Sequence, residues 1–329
     1  MNLEERIRSL AALGAWMGSR EDPFFSGMTG ENPWFTPREI RRAFTAWVNL
    51  LTRENLTRWM NAYPFTPNSP RDILVIPAAN IPLVGFHDFL SVLITGNRYL
   101  GRLSYRDRHL LPLLSDTLIS INSGFRELIR LADEPAIPDA VIATGSTNTA
   151  RYFRSRYELV PSIIRQNRVS VAVLTGHETQ TDYAGLAADI LTYYGLGCRS
   201  VSHVFLPAGT SIESLIRAIG DYSDWDPNPM MADNVRFQKA RYGMLNQPFI
   251  ETAKLLLCEN ASLHSPIGTL HYSFYPDPRL LEQQLTSLSG ELQCIVGTRH
   301  TPFGQAQKPG LLDYADQVDT IRFLITLTS

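Results

Sequence analysis

The sequence predicts an α/β fold in which short apolar strands alternate with helices around a wound, mostly parallel sheet. Two observations lead to this prediction. Apolar stretches of four to six residues recur between Asp72 and Leu206, and helical segments separate them. A helical pattern precedes this region, and a polar, proline-rich break at residues 221–229 follows it. With 329 residues, the chain is also long enough to form two lobes.

The elements are predicted in the following order. Residues 1–62 are expected to be helical, because Leu3, Ile7 and Leu10 fall at helical spacing and Thr36-Pro37 is typical of a helix start. Strands are then predicted at 73–76, 99–103, 140–143, 169–174 and 202–206, with helices at 84–93, 110–131, 149–157 and 183–194. A more helical stretch is expected at 234–257, and the alternation of apolar and polar residues over 318–327 predicts a terminal antiparallel strand.

Composition excludes several classes of function. The chain carries 30 Lys and Arg against 32 Asp and Glu, so no global basic field attracts nucleic acid or anionic lipid. The most apolar stretch, 73–90, is interrupted by prolines and polar residues, so we expect neither a membrane span nor a signal peptide, and a cytoplasmic location. Cys198, Cys258 and Cys294 are widely spaced without a CxxC pair, and we expect no disulfide framework and no metal.

Cys198 is the first candidate for chemistry. It follows Gly195 and Gly197 between a predicted helix and a predicted strand, and Arg199 comes next. Glycines allow a tight turn and a close approach of substrate, and a neighbouring cation favours the thiolate. This setting suits a nucleophile that forms a thioester. The alternative is a small apolar side chain in a loop, which is also how we interpret the other two cysteines.

Two polar turns follow predicted strands. Gly145 and Ser146 open a helix, where free backbone N–H groups can hold a phosphate, although a capped turn without ligand explains the same residues. Asn80 follows the first strand, where a side-chain amide can donate to an oxyanion, although an ordinary turn residue is the alternative. The nearby Arg98, Arg102 and Arg106 indicate either a phosphate clamp or a solvated basic face.

Taken together and in this order, these segments resemble the LuxC-like acyl-CoA reductases of the aldehyde dehydrogenase superfamily, over residues 30–329. The resemblance rests on Asn80–Phe89 with Gly96-Asn97, on Thr144–Thr147, on Gly195–Ser202 and on Pro302–Gln305, with Asn32–Thr36 and Asp313–Asp316 as further similar segments. It implies a Rossmann-type cofactor lobe and an α/β catalytic lobe behind a helical N-terminal region. We therefore expect the cofactor lobe at 1–174, the catalytic lobe at 175–310, and a strand at 311–329 that returns to the cofactor lobe or pairs with a partner.

The resemblance also implies roles for individual residues. Cys198 is expected to attack an acyl thioester, with the Asn80 amide and the Cys198 backbone N–H forming the oxyanion hole. Gly145 and Ser146 are expected at the pyrophosphate of a nicotinamide cofactor, and Arg102 and Ser104 near its adenosine. An Arg at position 102, where most aldehyde dehydrogenases have Lys, favours NADPH through a 2′-phosphate, while NADH stays open.

The implied reaction is reduction of a fatty acyl-CoA, or of an acyl group on a carrier protein, to the aldehyde. The Glu-Leu-Gly-Gly segment that activates hydrolytic water in aldehyde-oxidising members is absent, and Arg165–Arg168 occupies its place. No Glu-x-Phe-Gly segment is found; residues 234–246 occupy the corresponding region. The bridging hairpin used for oligomerisation is missing, which leaves a homodimer or an acyltransferase or synthetase partner open. The alternatives are a cysteine-dependent acyltransferase or thioesterase, and a non-catalytic scaffold.

Overall fold

The computed structural model describes residues 1–30, 32–64, 69–131 and 138–327, which divide into two compact units. The first comprises residues 1–167 together with 310–329, and the second comprises residues 168–309. The chain thus leaves the first unit, forms the second and returns. None of the helices in the described residues combines the length and the apolar character needed to cross a membrane.

The N-terminal region of the first unit is helical, as predicted. It consists of α1 (Leu3–Gly18), α2 (Asp22–Ser26), α3 (Pro37–Leu50) and α4 (Arg53–Asn61). Thr36 caps α3, because its hydroxyl accepts the N–H of Glu39 while Pro37 occupies the first helical position. The apolar faces of these helices bury Leu10, Phe44 and Trp59, so the region packs as a helical layer of the first unit.

A five-stranded parallel sheet forms the centre of the first unit. Its strands are β1 (Asp72–Ile76), β2 (Arg98–Gly101), β3 (Ile129–Leu131), β4 (Ala140–Thr144) and β5 (Ser162–Arg165), in the order β3-β2-β1-β4-β5. Helices α5 (Phe86–Ile94), α6 (Leu110–Ile121) and α7 (Thr147–Arg156) connect them. The chain moves outward from β1 and then returns to its other side with β4. Such a switch point, at the carboxyl ends of β1 and β4, is where open α/β sheets bind ligands.

A six-stranded sheet with the order β11-β6-β7-β10-β9-β8 forms the second unit, parallel except for the pair β8–β9. Its elements are β6 (Val169–Val173), α8 (Gln180–Leu191), β7 (Val201–Pro207), α9 (Glu213–Asp221), α10 (Pro229–Met244), β8 (Ile250–Glu251), β9 (Leu256–Glu259), β10 (Thr269–Tyr275), α11 (Pro278–Ser287) and β11 (Leu292–Val296). Strand β6, which the sequence analysis assigned to the first lobe, lies here because both of its ladder partners, β7 and β11, belong to this unit.

The predicted terminal strand at 318–327 is wrong, because this stretch forms helix α12 (Thr320–Thr326) of the first unit. Ile321 and Leu324 are both buried while the intervening Arg322 is exposed, so the burial follows a three-residue helical spacing rather than strict alternation. Asp319 caps the helix by accepting the N–H of Arg322. Packing against α5 therefore decides the conformation.

Other boundaries also differ from the sequence-based expectations. The helix predicted over 110–131 ends at Ile121, since Asn122 has an extended backbone and accepts the N–H of Gly124, and residues 129–131 form the edge strand β3. The helical stretch predicted at 234–257 is shorter than expected, because α10 gives way to β8 and β9. Five elements have no counterpart in the prediction: β5, α9, β10, α11 and β11.

Candidate active site

The carboxyl edge of the first sheet brings together five of the six predicted site residues. Asn80 follows β1, Arg102 and Ser104 follow β2, and Gly145 and Ser146 follow β4. Because β1 lies between β2 and β4 and all three run parallel, these loops leave the sheet side by side. Cys198 belongs to the second unit and is described there.

The loop that carries Asn80 is held from the helical region. The amide nitrogen of Asn32 donates to the carbonyl oxygen of Ala79 at 3.1 Å, and the amide oxygen of Asn32 accepts the N–H of Trp34 at 3.1 Å. Asn32 is only 4% exposed. Further along, Leu83 adopts a left-handed backbone (φ 58°) and buries its side chain before α5 begins. Asn80 itself is half-buried, and the bond from Asn32 fixes the backbone on its N-terminal side.

A small cavity lies beside this loop. It has a volume of about 310 Å³ with its open mouth included, and Ala78, Ala79, Ser104 and Asp107 lie in its lining. Burial raises the pKa of the Asp107 carboxyl to about 6, against the opposing effect of the N–H groups of Leu110 and His109. The Ser104 hydroxyl accepts the N–H of Arg106 at 3.2 Å. A carboxyl that titrates near neutrality therefore borders the loops that carry Asn80 and Ser104.

The turn after β4 presents an exposed helix N-terminus. Ser146 caps α7 by accepting the N–H of Thr149 at 3.3 Å, and no acidic residue occupies the first turn. Position 145 has no room for a side chain, because a Cβ there would lie 2.8 Å from the Cβ of Thr149. The first-turn N–H groups and the positive end of the helix dipole thus face an open edge that suits an anionic group.

The predicted basic strip does not form one cluster, because Arg98 lies at one end of β2 and Arg102 and Arg106 lie beyond the other. Arg98 is the first residue of β2 and forms an ion pair with Asp72, which is the first residue of β1. Because the strands are parallel, this pair lies at the amino ends of both strands, whereas Arg102 follows the carboxyl end. Arg98 therefore does not join Arg102 in a phosphate clamp. Arg102 is exposed, and Arg106 donates to the hydroxyl of Tyr105 at 2.9 Å.

In the second unit, an unusual backbone precedes Cys198. Tyr193, Tyr194 and Gly195 all adopt left-handed conformations, with φ of 54°, 56° and 73°. This costs about 1–2 kcal/mol for each non-glycine residue. The ring of Tyr194 is buried and packs edge-to-face against Trp225, with 5.3 Å between ring centroids. The packed rings hold the turn in a conformation that the isolated chain disfavours.

Cys198 is an exposed cysteine, in no disulfide, in the loop between this turn and β7. Its backbone carbonyl accepts a hydrogen bond from the hydroxyl of Ser170 at 2.9 Å, and Ser170 is fully buried in β6. The preceding carbonyl, that of Gly197, accepts the N–H of Ser200 at 3.0 Å. The peptide groups on both sides of Cys198 are therefore fixed by hydrogen bonds.

The segment Pro302–Gln305 packs directly on α8. Asp189 accepts the N–H of Gly304 at 2.7 Å and that of Ala306 at 3.0 Å. A Cβ at Gly185, one turn earlier, would lie 2.8 Å from the carbonyl carbon of Phe303, and Gly304 itself has a left-handed φ of 78°. Burial raises the pKa of the Asp189 carboxyl to about 6, although both N–H groups oppose this shift. The segment then reaches the Cys198 loop, because the Gln307 amide donates to the Ser200 hydroxyl at 3.0 Å.

Arg165 is the first residue of Arg165–Arg168, the segment that the family resemblance puts in place of Glu-Leu-Gly-Gly. Its guanidinium forms a bidentate ion pair with Asp88 of α5, at 2.6 and 3.0 Å, and also donates to the hydroxyl of Thr320 at 3.0 Å. All three residues are buried. Arg165 therefore joins β5, α5 and α12 inside the first unit.

The structure is similar to solved aldehyde dehydrogenases. An NAD-dependent benzaldehyde dehydrogenase from Corynebacterium glutamicum matches with a TM-score of 0.69 and 13% identity, over 90% of this chain and 76% of that one. A putative methylmalonate-semialdehyde dehydrogenase from Sinorhizobium meliloti 1021, complexed with NAD, matches with a TM-score of 0.64 and 14% identity over 94% and 74%. An aldehyde dehydrogenase from Mycobacterium tuberculosis, complexed with NAD⁺, matches with 0.64 and 12% over 90% and 73%. The predicted aldehyde-dehydrogenase-like fold is confirmed.

The family is decided by the sequence. A family model described as "Acyl-CoA reductase (LuxC)" matches residues 34–215, which is more than half of the chain. The chain belongs to the LuxC acyl-CoA reductase family. No curated protein sequence matches it. Membership of the LuxC family supports an oxidoreductase of aldehyde chemistry, and the matched segment includes all six predicted site residues.

Several residues that hold the candidate site in place were not predicted from the sequence. Ser170 and Asp189 lie inside a strand and a helix, and nothing in their sequence neighbourhood marks their hydrogen bonds to distant loops. Asn32 carried a signal, because the segment Asn32–Thr36 resembles the family, but its partner, the Ala79 carbonyl, is visible only in the fold. The stretch 234–246 lies within α10 and its final turn. The turn Ser265–Gly268 was not singled out from the sequence either. It lines, together with Gly195, a cavity of about 420 Å³.

Proposed function

We propose that this chain reduces fatty acyl-CoA to fatty aldehyde with NADPH, through a thioester on Cys198. The observation that carries the proposal is Cys198 itself. It is an exposed thiol in a loop whose flanking peptide groups are both fixed, in a chain of the LuxC acyl-CoA reductase family. An exposed nucleophile on a rigid backbone suits acyl transfer.

In the proposed reaction the Cys198 thiolate attacks the carbonyl carbon of the acyl-CoA thioester. The bond from Cys198 Sγ to the carbonyl carbon forms, the bond from that carbon to the CoA sulfur breaks, and CoA leaves as the thiol after taking up a proton. The Cys198 N–H and the Asn80 amide are proposed to donate to the oxyanion that develops. Arg199, the next residue, adds a cation that favours the thiolate.

The first unit offers groups that fit a nicotinamide cofactor. The exposed N-terminus of α7 lacks acidic residues in its first turn and suits a pyrophosphate at Gly145 and Ser146. Arg102 is exposed at the same sheet edge, and its guanidinium suits a 2′-phosphate, while Ser104 lies two residues further along. When bound, the reduced cofactor supplies the hydride that converts the acyl thioester to the aldehyde and returns Cys198 to its thiolate. NADPH is preferred in this proposal because the Arg102 guanidinium can pair with a 2′-phosphate, which NADH lacks.

Arg165 supports reduction over hydrolysis. Since its guanidinium pairs with Asp88 and Thr320 in the buried interior, the position holds a cation that cannot take a proton from water. An acyl group on Cys198 then persists until it is reduced or returned to CoA. This is the reason to favour a reductase over a cysteine-dependent thioesterase.

The test follows NADPH absorbance with a long-chain acyl-CoA, alongside intact-mass analysis of the protein without cofactor. We expect NADPH loss, a stronger response with NADPH than with NADH, and one acyl mass on the wild-type chain. Cys198→Ala should abolish both signals. Cys258→Ser is the matched control, because that thiol is buried and its oxygen replacement can still accept from the Gln247 amide, so both signals should remain.

Other outcomes separate the alternatives. Acyl mass on Cys198 without NADPH or NADH loss indicates an acyltransferase, and release of free acid indicates a thioesterase. Binding of NADPH with neither signal indicates a scaffold. Full turnover in Cys198→Ala would falsify the proposed nucleophile.

A further inference from the structure

The backbone around Cys198 is controlled by a side chain from a neighbouring strand. Ser170 lies in β6, fully buried, and its hydroxyl donates to the carbonyl oxygen of Cys198 at 2.9 Å. The two residues are separated by 28 positions in the chain, so this bond is a feature of the fold. It reaches the residue that the proposed function assigns as the nucleophile, and the inference below rests on that proposal.

The hydrogen bonds of this loop fix two successive peptide planes. A peptide group is planar, so holding its carbonyl oxygen also holds its N–H. The N–H of Cys198 shares a plane with the Gly197 carbonyl, which accepts from the Ser200 N–H. The following plane contains the Cys198 carbonyl, which accepts from Ser170. With both planes held, the direction of the Cys198 side chain and that of its N–H are set together.

The sheet is irregular at this point, which supports a dedicated role for Ser170. The register between β6 and β7 shifts between Ser170 and Val171, so that Ser170 pairs with Val201 and Val171 with His203. Ser202 is the extra residue, and its hydroxyl donates to the Leu263 carbonyl at 2.7 Å. Bulges of this kind redirect the chain next to functional sites. Here the bulge follows the Cys198 loop directly.

We infer that Ser170 is a positioning residue for Cys198: its hydroxyl holds the peptide plane that follows Cys198 and, with the preceding plane held by the Ser200 N–H, sets the direction of the nucleophile. Ser170 is buried in the strand and acts through the backbone of Cys198. Its loss should therefore slow acyl transfer to Cys198 without weakening the binding of acyl-CoA.

The test compares Ser170→Ala with Ser115→Ala. Ser115 is also buried, and its hydroxyl also donates to a backbone carbonyl, that of Leu111, at 2.8 Å, but it lies in α6 of the first unit. Acylation of the protein by acyl-CoA is followed by intact mass under single-turnover conditions. The final stoichiometry reports the folded fraction, and the rate reports the chemistry. We expect Ser170→Ala to reach the wild-type stoichiometry with a rate constant about tenfold lower, an effect of the size that a lost buried hydrogen bond produces. The acyl-CoA concentration that gives half the maximal rate should not change. Ser115→Ala should match wild type.

Two further measurements make the outcome decisive. Ser170→Thr keeps the hydroxyl and should recover most of the rate, whereas Ser170→Val, which has the shape of Thr without the hydroxyl, should stay slow. This pair decides the matter if Ser170→Ala does not fold. Alkylation of Cys198 by iodoacetamide needs no substrate, and we expect it to slow at least about threefold in Ser170→Ala and not in Ser115→Ala. Wild-type acylation and alkylation rates in Ser170→Ala overturn the inference. If wild type itself is not acylated, the proposed function fails, and the alkylation rates alone decide the role of Ser170.

Discussion

At the scale of single residues, buried side chains hold the loops that carry the candidate site residues Cys198 and Asn80. Cys198 is exposed, while the groups that fix its loop, Ser170 and Ser200, are buried. The loop that carries Asn80 is similarly held by the buried Asn32, whose amide donates to the Ala79 carbonyl from another part of the first unit. Since a displacement of about 1 Å in a reacting group can cost a hundredfold in rate, these supports matter as much as the groups that react.

Asn32→Ala should lower the rate of acyl-CoA reduction about three- to tenfold, with a smaller change in KM, because the Ala79 carbonyl loses its donor and the Asn80 loop loosens. Steady-state kinetics with acyl-CoA and NADPH measure this change. The matched control is Asn55→Ala, since that amide also donates to a backbone carbonyl, that of Asn49 at 3.0 Å, but within the helical region. Equal kcat values for the two variants contradict the prediction.

At the scale of elements, close approach of backbones explains the Pro302–Gln305 segment. Helix α8 presents Gly185 and, one turn later, Asp189 to this segment, so the first residue gives it room and the second binds its N–H groups. The spacing of four residues puts both on one face of the helix. The sequence identified the segment as a motif, but it did not identify Gly185 and Asp189 of α8 as the residues that contact it.

Gly185→Ala tests this arrangement. A Cβ at this position would lie 2.8 Å from the Phe303 carbonyl carbon and 2.9 Å from the Gly304 nitrogen, and backbone atoms on both sides cannot yield easily. We expect the free energy of unfolding in urea to fall by about 1–3 kcal/mol. Gly243→Ala is the control, because it lies in α10 with nothing within 4 Å of the added Cβ, and it should gain about 0.5 kcal/mol from helix propensity. A gain at both positions would contradict the prediction.

The elements also show where sequence reasoning succeeds. Strands such as β1 and β4, buried on both faces, are continuous apolar runs and were predicted within one residue of their observed ends. Helix α12 was predicted as a strand, because its short pattern of Val, Ile, Phe and Leu fits both periods and only packing against α5 selects one. Arg98 was placed with Arg102 because the two are close in the chain, although Arg98 begins the extended strand β2 and Arg102 follows its end. Motif order identified the candidate residues, and only the fold revealed their supports.

At the scale of the whole molecule, buried titratable groups connect pH with stability. His203 is fully buried in β7, with one ring nitrogen 3.0 Å from the Ser262 carbonyl and the other 2.8 Å from the Ser273 hydroxyl. Burial lowers its pKa to about 4, with the neighbouring His271 acting in the same direction. The unfolded chain takes up this proton near pH 6.5, so between pH 6.5 and 4 the unfolded state binds more protons and stability falls as the pH falls.

Comparison of wild type with His203→Gln tests this account. Between pH 7.5 and pH 4.5, wild type should lose about 2–3 kcal/mol more than the variant in the free energy of unfolding in urea, because Gln keeps polar contacts without a titration. Asp189, whose raised pKa acts in the opposite direction, is present in both chains and cancels in the comparison. Parallel pH profiles for the two proteins would contradict the prediction.

The return of residues 310–329 to the first unit has a consequence for synthesis. Tyr314 accepts from the indole N–H of Trp59 at 2.7 Å, the Tyr63 hydroxyl reaches Asp319 at 3.0 Å, and Thr320 accepts from Arg165. These bonds join the two stretches of the first unit, on either side of residues 168–309 in the chain. On the ribosome, residues 168–309 emerge as one continuous stretch before the earlier unit has all its partners. The first unit is therefore completed only after the second has been synthesised, and the indole of Trp59 and the guanidinium of Arg165 lack these partners until residues 310–329 emerge.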